Sequence, residues 1–197
     1  MPDSTVTIEE LKSAGIQYKE NEGRASFYDE AALIAKEYPL QASVIVLAVW
    51  NTMRFRFMTS HGENLFKLKS TLDACRPLFT KTEGYKIQTA DIQKIRPVIQ
   101  EIYGMLSKIK GVEYTGASKV MSLMNPELFV MWDDRIRKHY KIDTHDGSSY
   151  VEFLSKIKKE VKAIDWSDTA KPLAKAVDEY NYVQYTLPEL RKRKKSV

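Results

Sequence analysis

Apolar residues recur along most of the chain at the three- and four-residue spacing of helices that face a core. Strand-like alternation is nearly absent. The pattern predicts helices over about 25–37, 40–58, 63–74, 149–163 and 169–179, and a first helix after the capping residues Ser4, Thr5 and Thr7. Because 44–49 is apolar on nearly all sides, it predicts a central helix covered by its neighbours.

A further helix is indicated by an apolar stripe that runs from Ile92 to Ile109. Pro97 lies inside this stripe, so the regular helix starts close to it or kinks there. Loops are predicted at 81–88 and at 125–126. Since neither an internal repeat nor a long linker is present, we expect one all-α domain, or two closely packed lobes, over 1–190, followed by a basic tail over 191–197.

Composition narrows the class of protein. The chain has 197 residues, 43% of them hydrophobic, which is enough for a sizeable core. A run of about 18 apolar residues, as a membrane span requires, does not occur. Cys75 is the only cysteine, and the N-terminal residues do not resemble a signal peptide. We therefore expect a cytoplasmic, monomeric protein without a membrane partner, a metal or a cofactor.

Positive charge is concentrated in two places. The net charge of +5 is moderate, but basic residues cluster over 135–141 and in the tail over 191–195. We expect the tail to be a solvated end that adds salt-dependent affinity for a phosphate backbone.

The stretch over 109–120 has the layout of two helices joined by a tight turn. A helix ends, Gly111 and Val112 follow, and small residues such as Gly116 and Ser118 begin the next helix. Backbone N–H groups at such a helix start bind a phosphate without reading sequence. The alternative is an ordinary junction with glycine at the helix end. Glu113, at the second glycine position of such turns, weakens the phosphate interpretation.

An apolar crossover, 126–132, leads from this second helix to Asp133 and to a basic helix with Arg137 and Lys138. Together these residues resemble the helix-hairpin-helix DNA glycosylase superfamily over roughly 90–140. The resemblance implies a DNA-glycosylase-like helical fold, a double-stranded DNA partner and an essential carboxylate at Asp133. It also implies a set of DNA-binding residues: Gly111, Val112, Tyr114, Gly116, Ser118, Lys119, Arg135, Arg137 and Lys138.

The chain departs from the family pattern at the nucleophilic lysine. Thr115 occupies that position, and Lys119 lies one helical turn further on, as a displaced amine, a phosphate contact or a solvated lysine. The departure favours a monofunctional glycosylase or a relative that no longer cleaves. Asp133 would then stabilise the charge that develops on the sugar after base flipping. Asp134 is the fallback, and either aspartate is alternatively a helix cap.

Several aromatic and amide side chains are candidates for a base pocket. Trp50, Asn51 and Arg54 interrupt an apolar helix with a polar turn, and Trp132 precedes the aspartate. Tyr180 and Asn181 begin an aromatic run that could stack on a base. The alternative for all of them is ordinary packing, with arginines leaving the core for solvent.

The sequence therefore predicts a DNA N-glycosylase that removes a damaged, mismatched or modified base, in repair or in antiviral defence against modified foreign DNA. One alternative is a non-catalytic module that binds nucleic acid through the hairpin. Another is a helical interaction domain in which the hairpin is only a turn.

Overall fold

The computed structural model describes residues 6–167 and 169–194; Ser4, Thr5 and Lys195 lie outside these ranges. Throughout the described chain the regular structure is helical and no strand occurs, which confirms the predicted all-α class. The helices, with a π turn over Tyr182–Thr186 before the last of them, are α1 (Ile8–Asn21), α2 (Ala25–Ile34), α3 (Pro39–Trp50), α4 (Thr52–Ser60), α5 (Gly62–Thr80), α6 (Arg96–Ser107), α7 (Glu113–Met124), α8 (Asp134–His139), α9 (Gly147–Val161), α10 (Leu173–Asn181) and α11 (Leu187–Lys194).

Local capping explains where several helices begin. Thr7 and Glu10 form a reciprocal capping box at α1, because Glu10 N donates to Thr7 Oγ1 (3.2 Å) and Thr7 N donates to Glu10 Oε2 (2.8 Å). Pro97 lies in the first turn of α6, where a missing N–H costs nothing. Pro172 precedes α10, so this helix starts at Leu173 and not near Thr169 as the spacing predicts.

The helix predicted over 40–58 is two helices, broken at Asn51. The backbone of Asn51 is not helical (φ −126°, ψ 29°). Its side-chain Nδ2 donates to the carbonyls of Gly111 and Val112, each at 3.0 Å. Bonding to this distant turn holds the break, and the distant turn is not visible in the local apolar pattern.

The central helix is α7 and not α3. Every residue of α7 from Gly116 to Leu123 is buried, whereas α3 buries only Ala42, Ser43, Val46 and Leu47. Helix α7 packs on α3 and α6, and α6 packs on α9. Its small side chains permit this: a Cβ at Gly116 would lie 2.9 Å from Asn51 Nδ2, closer than side chains come.

The remaining layout positions the residues around Asp133. A turn over 108–112 joins α6 to α7, and a segment over 125–133, which begins with a turn at 126–128, leads from α7 to α8. Leu128, Phe129, Val130 and Trp132 of this segment are buried. Helix α1 packs against α10, and the π turn contacts α8. No helix within the described ranges is long and apolar enough to cross a membrane.

Candidate functional site

A cavity of about 400 Å³ lies beside the N-terminus of α8. Its walls come from α1, α2, α3, α7 and α10, together with the π turn and Leu190 of α11. It contains six of the side chains selected from the sequence: Trp50, Asn51, Lys119, Trp132, Asp133 and Arg135. A larger cavity, of about 610 Å³ between α2, α5 and 123–127, contains none of the selected residues.

Asp133 is both a helix cap and part of the cavity wall. Its Oδ1 accepts hydrogen bonds from Arg135 N (2.8 Å) and Ile136 N (2.9 Å) at the start of α8. Its Oδ2 accepts from Thr186 Oγ1 (2.8 Å) and lies 3.8 Å from the guanidinium of Arg135. The side chain keeps 24% of its surface exposed, so the carboxylate is held firmly yet open to the cavity.

Thr186 lines the cavity, but no sequence pattern indicated it as a site residue. It ends the π turn that joins α10 to α11. The extra residue per turn of a π segment redirects side chains, and such segments are frequent at functional sites. Here the turn brings the hydroxyl of Thr186 to a carboxylate that lies 53 residues earlier in the chain.

Lys119 enters the same cavity from the middle of α7. It is 8% exposed, and among the described residues its amine forms neither a hydrogen bond nor an ion pair. Burial lowers the pKa of Lys119 to about 8, although the nearby carboxylates of Asp133 and Asp178 act in the opposite direction. Lys119, one helical turn beyond Thr115, therefore places its amine in the cavity.

The wall that α10 contributes to the cavity contains a paired lysine. Lys175 of α10 is 5% exposed, and its amine donates to Asp178 Oδ2 at 2.9 Å. The amine also lies 4.1 Å from the ring centre of Tyr28 and 5.0 Å from that of Tyr18. Sequence periodicity alone could not indicate this group, because its members come from α1, α2 and α10.

The rim of the cavity carries an arginine and an exposed apolar side chain. Arg24 is bonded to the buried Glu22 through two nitrogens, at 2.5 and 2.9 Å, and lies 5.8 Å from the ring centre of Trp50. Met53, in the first turn of α4, is 70% exposed at the mouth. Neither was selected from the sequence; the polar break at Asn51 is the one local signal that could have indicated Met53.

The turn of the predicted hairpin is more enclosed than we expected. Gly111 (φ 100°) and Val112 are buried, and their carbonyls accept the hydrogen bonds from Asn51. Val112 N donates to Ile109 O at 3.0 Å. These two residues therefore do not offer a strand the contacts that the motif implies, because Met58 and Asn51 cover them.

Two further residues expected on the DNA have other partners. Ser118 is fully buried; its hydroxyl donates to Thr115 O (2.9 Å) and accepts from Trp132 N (3.2 Å). The guanidinium of Arg137 donates to the carbonyls of Ile142, Asp143 and Thr144, so it closes the end of α8 and does not face outward.

Tyr114, Asp134 and Gly116 also have structural contacts, and Gly116 is buried beside Asn51 and Leu47. Tyr114 OH donates to Asp134 Oδ2 at 3.0 Å, and Arg137 forms an ion pair with the other oxygen. Partial burial alone would raise the pKa of Asp134, but these two hydrogen bonds outweigh it and lower the pKa. Asp134 does not line the cavity, so Asp133 is the better placed of the two aspartates.

Three of the predicted pocket residues lie elsewhere. Arg54 forms an ion pair with Glu113 at 2.7 Å, outside the cavity. This pairing neutralises the carboxylate that weakened the phosphate interpretation of the turn. Asn181 is fully buried and accepts a hydrogen bond from Tyr140, and Tyr180 packs edge-on against Tyr185. Tertiary packing, which the aromatic run does not reveal, directs both away from Asp133.

Basic side chains remain exposed around the turn and around α8. Lys110 and Arg56 both lie over the ring of Phe57, at 4.8 and 5.0 Å, and Lys138 is exposed on α8. Within the described ranges no group of three His, Cys, Asp or Glu side chains is arranged to hold a metal ion.

No protein-family model matches the chain, and neither a curated protein nor a solved structure is significantly similar to it.

Proposed function

We propose that the protein is a DNA N-glycosylase that flips a base from the duplex into the cavity and releases it from the sugar. The observation that carries the proposal is the meeting of Asp133 and Lys119 in one cavity with two tryptophans, Trp50 and Trp132. Carboxylate, amine and aromatic walls are what a site that stacks a base and cleaves its glycosidic bond requires.

Asp133 supports this role through its geometry. Breaking the glycosidic bond leaves positive charge on the sugar, and a carboxylate at the cavity wall stabilises that charge. Three donors hold the carboxylate in place: two backbone amides of α8 and the hydroxyl of Thr186. It therefore needs little reorganisation during the reaction, and it can orient or deprotonate the attacking water.

Strand binding is assigned to basic side chains around the turn after α6 and on α8, all exposed except the half-buried Arg135. Lys110 and Arg56 flank the turn that follows α6, and Lys138 and Arg135 lie on α8 next to Asp133. Such contacts neutralise phosphates without reading sequence, so binding should weaken steeply as salt increases. Antiviral defence and repair are equally compatible with this chemistry.

The decisive experiment measures base release from duplexes that carry altered bases, with wild type, Asp133→Asn and Asp134→Asn. Asparagine caps a helix as well as aspartate does, so Asp133→Asn should fold and bind DNA like wild type. We expect it to lose at least 100-fold in the rate of release, because the developing charge loses its carboxylate. Asp134→Asn is the matched control outside the cavity, and we expect less than a threefold change.

Equal release by wild type and Asp133→Asn, at matched folding and DNA affinity, would remove Asp133 from the mechanism. Salt-sensitive DNA binding without release of any base by the wild type would instead favour a non-catalytic nucleic-acid-binding module.

A further inference from the structure

Lys119 is the unpaired cation of the cavity. Among the described residues that line it, four are basic and two are acidic. Arg24 is bonded to Glu22, Lys175 to Asp178, and Arg135 lies 3.8 Å from Asp133. Lys119 alone among these basic residues is left without a hydrogen bond or an ion pair.

An unpaired amine is costly at this depth. Lys119 is more than nine-tenths buried, and without a hydrogen-bond acceptor its loss of hydration is offset only in part by the nearby carboxylates of Asp133 and Asp178. The cavity that it faces has room for a ligand, at about 400 Å³. A ligand that enters the cavity would therefore supply the hydrogen-bond acceptor that Lys119 lacks.

We infer that the Lys119 ammonium binds an oxo oxygen of the flipped base, and that the cavity selects neutral oxo bases that depart as anions. Uracil derivatives and hypoxanthine belong to this class, whereas alkylated purines with a fixed positive charge do not. The inference rests on the proposed glycosylase function and assigns its substrate class.

The chemistry gives Lys119 a defined part in the reaction. When the C1′–N bond breaks, its electron pair stays on the base nitrogen and is delocalised onto the oxo oxygen. The ammonium hydrogen bonds stabilise that oxygen as its charge grows, so the base need not be protonated before it leaves. A solvent water then adds to C1′ and transfers its proton to Asp133, and the released base anion takes up a proton from Lys119 or from solvent.

The same charge disfavours the other class of base. A purine alkylated at a ring nitrogen enters as a cation, and in a partly desolvated cavity an ammonium repels it. The aromatic walls alone would favour such a cation, so the preference between the two classes reports on Lys119. A role as a covalent nucleophile makes a different prediction, because it requires an intermediate that borohydride traps.

The experiment compares base release from duplexes that carry uracil, hypoxanthine or 7-methylguanine, with wild type, Lys119→Met and Lys119→Arg. We expect the wild type to release an oxo base at least tenfold faster than 7-methylguanine. In Lys119→Met the rate of release should fall 100-fold or more for uracil and hypoxanthine, and little for 7-methylguanine. Lys119→Arg should retain part of the preference because it retains charge and donors, and borohydride should trap no intermediate.

Lys110→Met is the matched control, because it removes an exposed lysine outside the cavity. It should slow base release from all three substrates equally, because the contact proposed for Lys110 is with phosphate. A wild type that is fastest on 7-methylguanine, an equal loss on all substrates in Lys119→Met, or a trapped intermediate would each overturn the inference.

A binding measurement separates this inference from the proposed function. A nucleotide with a 2′-fluoroarabino sugar resists base loss. The affinity of the protein for a duplex that carries such a nucleotide, with either uracil or adenine as its base, can therefore be measured by fluorescence anisotropy. Lys119→Met should abolish a wild-type preference for uracil. A wild type that binds neither duplex and releases no base would overturn both proposals. Release by the wild type with a preference that is independent of Lys119 would overturn only the inference.

Discussion

Two lysines from different helices line one cavity and have opposite environments. Lys119 on α7 and Lys175 on α10 are both more than nine-tenths buried, at 8% and 5% exposure. They belong to the same residue type and face the same space. Their difference therefore shows what partners, as distinct from burial, do to an amine.

Lys175 is surrounded by compensating groups. Asp178 accepts its hydrogen bond at 2.9 Å, Glu179 lies 3.8 Å away, and the rings of Tyr18 and Tyr28 cover its amine. Burial alone would lower the pKa of Lys175, but Asp178 and these neighbours raise it well above its ordinary value. The charge of this lysine is thus stabilised within the fold and holds α10 to α1 and α2.

Lys119 has no hydrogen bond or ion pair of this kind, and burial lowers its pKa to about 8 although Asp133 and Asp178 act in the opposite direction. Ionisable groups that are desolvated in a cleft are concentrated at functional sites, because binding and catalysis need groups that the fold has not already satisfied. The comparison shows that Lys175 is satisfied within the fold, and it supports our proposal that Lys119 binds the ligand.

The largest effect is expected for Lys175→Met. Removal of this lysine leaves Asp178 buried without its hydrogen-bond donor, and removing one partner of a buried pair costs about 3–5 kcal/mol. Urea unfolding of the two proteins at pH 7 measures the difference. Lys12→Met, at an exposed position of α1, is the control and should change the free energy of unfolding by less than about 0.5 kcal/mol. A loss below about 1 kcal/mol in Lys175→Met would contradict the structural role.

Lys119→Met should have a smaller effect of opposite sign. Below pH 8 the amine is charged in both the folded and the unfolded chain, so the folded state carries the full cost of burying it. Replacement by an apolar side chain of similar length removes that cost and should stabilise the protein by about 1–3 kcal/mol at pH 7. A variant that gains stability and loses base release is the expected signature of a residue kept for function.

The pH dependence of this gain is a second check. Between the folded pKa of about 8 and the unfolded value of 10.5, the unfolded chain binds more protons at Lys119 than the folded chain does. The stability of the wild type therefore rises with pH relative to Lys119→Met, and the gain should vanish above about pH 10.5. Unfolding curves of both proteins between pH 7 and 10.5 measure it, and a constant difference would show that charge is not its cause.

The sequence predicted one side of this comparison and not the other. Lys119 and Asp133 could be selected because each belongs to a short motif: a turn with small residues, and an apolar crossover that ends in an acid. Local signals also predicted that α1 follows a cap among Ser4, Thr5 and Thr7, and that a regular helix either starts close to Pro97, as α6 does, or kinks there. Periodicity assigned the central position to the wrong helix, because the buried face of α7 mixes small and polar residues such as Gly116, Ser118 and Ser122 with its apolar ones.

The rest of the site depends on contacts between distant segments. Lys175, Tyr18 and Tyr28 come together only after α1, α2 and α10 have packed. The basic run over 135–141 offered no means to separate Arg137, which closes α8 on the inside, from the exposed Lys138. Thr186 reaches Asp133 through a π turn that no local pattern predicts. Packing between segments that are distant in the chain determines where these side chains lie, and local sequence patterns do not predict such packing.

The smallest perturbation is chemical labelling of the folded protein, which measures the reactivity of the Lys119 and Lys175 amines directly. Competitive labelling with acetic anhydride, followed by mass spectrometry of the peptides, should give half-maximal reactivity of Lys119 near pH 8. Lys175 should stay unlabelled over the same range because its amine remains charged and covered. The groups that act on Lys119 are the carboxylates of Asp133 and Asp178, which raise its pKa, and the guanidinium of Arg24, which lowers it.

The same labelling, applied to Asp133→Asn, tests whether the Asp133 carboxylate acts electrostatically on the Lys119 amine. The substitution removes one of the two carboxylates that raise the pKa of Lys119, so the midpoint should move below its wild-type value. The labelling of Lys175 should not change, because its nearest acid is Asp178. Asp134→Asn serves as the control, since that carboxylate lies outside the cavity. An unchanged midpoint in Asp133→Asn would mean that the carboxylate and the amine do not act on each other across the cavity, and the two would then have to be assigned to separate steps.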